Sequence, residues 1–258
     1  MLHVDVYGDG PDLVLVHGWG MHGGLWQSWA TELGRSFRVH VVDLPGHGHS
    51  VQEKVPQTLD AWAEQVGDVV PADACWLGWS LGGQVALAAA GNGQPVRSLV
   101  LLASTPRFVT AADWQTAVAA DVFDQFAEQL ENDIERTLGR FLALQVRTAE
   151  HGGETLRRLR AAWGSRPAPA LQALRTGLEF LRECDLRSTL AELSMPVYWL
   201  LGERDTLVPP AVASAFPEVH TALVPGAGHA PFLSHPGHCN GQLQRWLPGN
   251  KQVQHAAG

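Results

Sequence analysis

The sequence predicts an α/β fold: a doubly wound, mostly parallel sheet with an inserted helical cap. Three observations predict it. Short apolar runs alternate with helix-period segments up to about residue 105. The alternation then gives way to a wholly helical interval and resumes near Met195. Between these features, Gly78-Trp79-Ser80-Leu81-Gly82-Gly83 joins an apolar run directly to an alanine-rich helical pattern.

The runs 12–17, 37–43, 74–79 and 96–103 are apolar at consecutive positions, as strands covered on both faces must be. Between them, 25–33, 58–70 and 81–90 show helical spacing, the second opening at a Thr cap. From residue 110 the pattern is helical throughout, over 117–130, 132–145, 154–163 and 168–183, with breaks at Gly152-Gly153 and at Pro167 and Pro169. This interval is expected to be a helical cap inserted after the sixth strand of the core. Strands 197–201 and 220–224 complete the sheet. The domain reading is thus a core of residues 1–109 and 188–250, a cap of 110–187 and a disordered tail of 251–258.

Composition fits this architecture. A chain of 258 residues, 45% hydrophobic and 17% charged, suits one α/β domain with an insertion. Met1-Leu2-His3-Val4-Asp5 lacks a basic region followed by an apolar core, and no apolar run approaches the roughly 18 residues a membrane span needs. A soluble, cytoplasmic chain is expected, with no membrane partner, and a monomer. The net charge of −8 opposes binding to nucleic acid. Cys75, Cys184 and Cys239 are odd in number, widely spaced and outside any metal-ligand pattern, as a reducing compartment permits. They receive no role.

Charge is unevenly placed. Residues 136–187 hold ten arginines against five acids, an excess of +5, so the remainder of the −8 chain carries −13. A solvated helical face and a docking surface for an acidic partner both account for this excess.

The candidate chemistry starts at Ser80. In a strand-turn-helix elbow flanked by glycines, a serine occupies a strained position that exposes its hydroxyl at the helix N-terminus. A hydroxyl is a poor nucleophile at neutral pH, so a base must take its proton and an acid must hold that base. The order to seek is Ser, acid, His. Asp205 follows strand 197–201 and fits the acid, with Glu203 in reserve. His229, in Gly226-Ala227-Gly228-His229-Ala230-Pro231 after the last strand, fits the base; His235 and His238 are rivals better suited to capping. The alternative reading of Asp205 is an ordinary turn cap. Oxyanion donors are expected at the amides of Leu81 and Trp19, the latter in His17-Gly18-Trp19-Gly20. His17 should brace that loop. Trp19 and Trp79 offer apolar walls to an acyl chain, the competing reading being core packing. His47 and His49 lie in a glycine turn with no catalytic role.

With these residues in view, the chain resembles the α/β-hydrolases, and within them the pimeloyl-[acyl-carrier protein] methyl ester esterases of biotin synthesis. The likeness spans nearly the whole chain. It rests on His17-Gly18-Trp19-Gly20, Val42-Asp43-Leu44-Pro45-Gly46, Trp76 to Gly83, Arg140-Phe141-Leu142-Ala143-Leu144-Gln145, Asp185-Leu186-Arg187, Gly228-His229-Ala230-Pro231-Phe232 and Ser234-His235-Pro236. It implies hydrolysis of a methyl ester on carrier-bound pimeloyl, with no metal or organic cofactor, and a substrate channel lined by Phe141, Leu142, Ala143, Leu144 and Gln145. It also implies that cap arginines grip the acidic carrier protein. Arg136 and Arg140 match well; Arg157, Arg158 and Arg160 fall in a segment whose length departs from the family pattern. Three other readings stand beside this one: a broad-specificity short-chain esterase or thioesterase, an acyltransferase on the same triad, and a non-catalytic receptor. Haloalkane dehalogenases and epoxide hydrolases are disfavoured, because they place an Asp where this chain has Ser80.

Overall fold

The computed structural model describes residues 1–247. Its centre is a seven-stranded sheet in the order β1-β3-β2-β4-β5-β6-β7, parallel except for β1. The strands are β1 (Val4–Tyr7), β2 (Asp12–Val16), β3 (Arg38–Val42), β4 (Ala74–Trp79), β5 (Val96–Leu102), β6 (Val197–Gly202) and β7 (His220–Val224).

β4 is buried at every position because helices cover both faces of the sheet. Successive side chains therefore enter different cores. Val14, Val16, Trp76, Leu99 and Leu101 join one cluster. Leu13, Leu15, Leu77, Val100 and Leu102 join the other. The helices before the insertion are α1 (Gln27–Leu33), α2 (Leu59–Gly67) and α3 (Leu81–Gly91), and a 3-10 turn (Gly23–Trp26) precedes α1. Thr58 Oγ1 accepts the Ala61 amide at 3.3 Å and opens α2. α3 is apolar nearly all round, as a helix wedged between the sheet and other helices must be.

Between β5 and β6 lie α4 (Ala120–Asn132), α5 (Ile134–Leu144), α6 (Gly152–Trp163), α7 (Leu171–Glu183) and α8 (Arg187–Glu192). The insertion follows the fifth strand in the chain, not the sixth. Its α4, α5 and α7 are amphipathic, and Phe123, Phe126, Leu138, Phe141 and Leu174 pack into the same core as Trp76 and Leu101.

Several elements escape sequence pattern. β1 is an edge strand with Val6 49% exposed, so its apolar period is weak. α8, α9 (Pro231–Ser234) and α10 (Pro236–Trp246) are short or begin at a proline. Helix 58–70 stops at Gly67, and the tail assigned to 251–258 lies outside the described residues. Cys75, Cys184 and Cys239 are free thiols, and no helix among the described residues is long and apolar enough to cross a membrane.

Candidate active site

Ser80 stands between β4 and α3 at φ 55° and ψ −121°, a conformation costly for any residue with a Cβ. Surrounding bonds hold it there. Its amide donates to the Leu102 carbonyl at 3.1 Å, and its own carbonyl accepts from the Gly83 amide at 2.9 Å and from Ser104 Oγ at 2.6 Å. The tight turn also needs Gly78, where a Cβ would collide with the backbone of Gly82. Ser104 carries no sequence signal for this task, since the contact joins the ends of two strands.

Asp205 lies in the turn after β6. Its Oδ1 accepts the amides of Leu207 and Val208 at 2.8 and 3.0 Å, and its Oδ2 lies 2.8 Å from His229 Nδ1. Both side chains are removed from solvent. A carboxylate so placed accepts from Nδ1–H, which leaves Nε2 as the basic nitrogen of the neutral ring. That Nε2 is buried and has no hydrogen-bond partner among the described residues.

The His229 loop is fixed from two directions. The insertion supplies the Gln145 carbonyl, which accepts the His229 amide at 3.1 Å. The core supplies Trp79, whose indole N–H donates to the His229 carbonyl at 2.7 Å. Trp79 is thus not an open apolar wall. It is buried against Trp26 and Phe232 and ties the residue before Ser80 to the His229 backbone.

The loop after β2 touches Ser80: a Cβ on Gly18 would lie 3.1 Å from Ser80 Cβ. His17 Nε2 accepts the Leu44 amide at 3.0 Å, so Nδ1 donates to the Gly18 carbonyl at 2.9 Å. Burial pushes the His17 pKa down to about 3, which keeps the ring neutral. The Trp19 indole donates to the Leu174 carbonyl of α7 at 2.8 Å, and its ring stands edge-on to Phe141 at 4.9 Å. Leu81 begins α3 directly after Ser80, where the first amides of a helix lack intrahelical acceptors.

The other expected site residues fall in different places. Phe141 and Leu142 are buried, in opposite core clusters. Ala143 is half-buried, and so is Leu144, which borders a surface groove between α4 and α5 with Phe126, Gln129, Arg140 and Arg147. Gln145 is buried with both side-chain polar atoms unpartnered among the described residues, next to the backbone bond it makes to His229. Glu203 is exposed and accepts the Gly226 amide at 2.9 Å, away from His229. His235 Nδ1 meets Ser234 Oγ at 2.9 Å, His238 is exposed, and buried His47 meets the Pro45 carbonyl at 2.9 Å.

The arginine excess of 136–187 is only partly met by counter-charges in space, since Arg107 and Arg204 from outside the stretch also take up its Asp185 and Glu150. Arg166, Arg175, Arg182 and Arg187 pair with Asp43, Glu131, Asp124 and Asp113, all outside that stretch. Arg158 bonds Glu154 at 2.6 Å and the Leu233 carbonyl at 3.0 Å, in a groove with Trp29 and Phe232 separate from the one Arg140 borders. Arg136, Arg140, Arg157 and Arg160 are exposed and pair with no carboxylate among the described residues.

A family model for the alpha/beta hydrolase fold matches residues 11–236. The chain belongs to the α/β-hydrolase fold family. Among relatives of this hydrolase, the pimeloyl-[acyl-carrier protein] methyl ester esterase of Xanthomonas axonopodis pv. citri (strain 306) is 43% identical over 250 residues, covering 95% of this chain and 98% of the relative. The protein of that name from Stenotrophomonas maltophilia (strain K279a) is 43% identical, covering 95% and 96%. Among solved structures, an esterase from Exiguobacterium antarcticum superposes with a TM-score of 0.82 at 21% identity, covering 95% of the hydrolase and 94% of that chain. At that identity the likeness speaks for the fold alone.

Proposed function

We propose that this hydrolase is a serine carboxylesterase that cleaves the methyl ester of pimeloyl-[acyl-carrier protein] methyl ester, releasing methanol and the free carboxylate in biotin synthesis. The observation that carries the reading is the 43% identity over 95% of the chain to relatives named for that reaction. The geometry supplies a chemistry consistent with it. Ser80 Oγ attacks the ester carbonyl while His229 Nε2 takes its proton, and Asp205 holds the ring and stabilises the imidazolium. Collapse of the tetrahedral intermediate expels methanol, which leaves with the proton from His229. Water, activated by the same nitrogen, then releases the carboxylate from the acyl-serine. The amides of Leu81 and Trp19 are assigned to the oxyanion.

In this reading residues 110–187 act as the cap, Phe141 to Gln145 line the substrate path, and the carrier protein docks at Arg136 and Arg140, with Arg157, Arg158 and Arg160 as its extension. The enzyme works as a cytoplasmic monomer. The test is conversion of the carrier-linked methyl ester, followed by the mass of the intact acyl-carrier protein and by methanol release. Wild type should convert it and Ser80→Ala should not. Hydrolysis of short free esters with the carrier-linked ester left intact would replace the proposal with a broad-specificity esterase.

A further inference from the structure

Outside the catalytic groups, one cluster of side chains among the described residues has metal-binding composition. Glu150, His151 and His235 each offer a ligand atom, and these atoms lie within 4.8 Å of one another. The three come from two parts of the chain. Glu150 and His151 end the loop between α5 and α6, and His235 separates α9 from α10, six residues beyond His229.

We propose that Glu150, His151 and His235 form a binding site for a divalent transition-metal ion of the zinc type, one that clasps the helical insertion to the segment carrying His229. Two imidazoles and one carboxylate suit a borderline ion, with water completing a tetrahedral shell. The site is pre-arranged in three respects. Ser234 Oγ at 2.9 Å from Nδ1 orients the His235 ring and leaves Nε2 as its donor, as outer hydrogen bonds do for metal-bound histidines. The Glu150 amide donates to the Gly226 carbonyl at 2.9 Å, which fixes the acidic residue against the core. The rings of His151 and His235 are already 6.0 Å apart between centroids.

Two features oppose binding and are small enough to be overcome. Arg204 pairs with Glu150 Oε1 at 2.8 Å, so the carboxylate offers the ion its other oxygen. Donors must also close to about 2 Å from the ion. Glu150 and His151 are exposed and His235 is half-buried, so rotamer changes can supply that movement without disturbing a packed core. The ion takes no part in the serine chemistry. Its effect is mechanical: it crosslinks the insertion to the α9–α10 segment and stabilises the folded state by mass action.

The test is calorimetric titration of the EDTA-stripped full chain with zinc chloride, paired with thermal melting with and without the ion. One zinc per chain is expected, with a dissociation constant in the micromolar range and a raised melting temperature. His151→Asn and Glu150→Gln replace exposed side chains and should each weaken binding at least tenfold and remove the thermal shift. Their melting temperatures without zinc should match wild type, which separates loss of the site from loss of the fold. Absence of binding at millimolar zinc overturns the proposal. So does binding that persists unchanged in both variants, since the ion would then sit on other histidines or thiols.

Discussion

The Trp79 indole nitrogen lies 2.7 Å from the carbonyl oxygen of His229, so the residue before Ser80 holds the backbone of His229. Nucleophile turn and histidine loop are 150 positions apart in sequence yet share one hydrogen bond. Trp79→Phe keeps most of the ring packing and deletes only the donor, leaving the His229 carbonyl unpaired in a buried setting. A stability loss of about 1–3 kcal/mol is expected, with a lowered kcat for a p-nitrophenyl ester. Unchanged kcat in a folded Trp79→Phe protein would show that this bond does not position the base.

Asp205 accepts three hydrogen bonds, two from backbone amides and one from His229. Asp205→Asn should leave the fold intact but favour the wrong histidine tautomer, lowering kcat by roughly four orders of magnitude. Ser80→Ala and His229→Ala should each abolish ester cleavage, and the double variant should be no worse, because the residues act as one unit. Glu203→Gln should retain near-normal kcat. A reversal between Asp205→Asn and Glu203→Gln would transfer the acid role.

Arg166 reaches from the α6–α7 connection to two core carboxylates, Asp43 at 2.8 Å and Asp5. The Asp43 side chain is wholly buried, and the amides of Gly23 and His49 share it. Arg166→Gln leaves that charge without its counter-ion and should cost about 3–5 kcal/mol by denaturant unfolding. Adding Asp43→Asn should recover part of the loss. Strict additivity of the two changes would show that they do not interact.

The pH dependence of stability has a definite sign. Burial pushes His17 and His47 down to about 3 and about 4, below the ordinary histidine value near 6.5. The unfolded chain then takes up protons that the folded chain refuses. Their contribution is complete above pH 6.5 and is lost as pH falls from about 6.5 to about 4 for His47 and to about 3 for His17, at roughly 1 kcal/mol per pH unit for each histidine. Melting temperatures between pH 7.5 and 4.5 measure this, and His47→Gln should flatten the slope. A slope identical in wild type and His47→Gln would remove His47 from the account.

The proposed docking of the carrier protein is tested by charge reversal. Arg136→Glu with Arg140→Glu should lower kcat/KM for the carrier-linked ester by roughly tenfold at low salt, with the deficit shrinking as salt rises. A small free ester should be cleaved at the wild-type rate. Equal losses on both substrates would indicate a misfolded cap, and no loss on either would leave a solvated face.

Phe141 shows why a role in the cap cannot be read from the chain alone. It is 3% exposed and meets the rings of Trp19 and Phe126, so Phe141→Ala should lower stability as a core truncation does, whatever it does to acyl-length preference. Residue types and local spacing determined the parallel strands, the helical insertion and the elbow at Ser80, because period, capping and turn chemistry act within a few residues. They narrowed the acid to Asp205 or Glu203 and favoured His229 over His235 and His238, and the contact between Asp205 and His229 came only with the fold. Only the tertiary structure decided that Trp79 holds the His229 backbone, that Ser104 pins Ser80 and that Arg166 serves Asp43. Which arginines of residues 136–187 meet a counter-charge outside that stretch, as Arg166, Arg175, Arg182 and Arg187 do, is likewise decided only in space. Each of these contacts joins residues 24 to 150 positions apart, and such partners are selected by sheet register and packing, which no local pattern encodes.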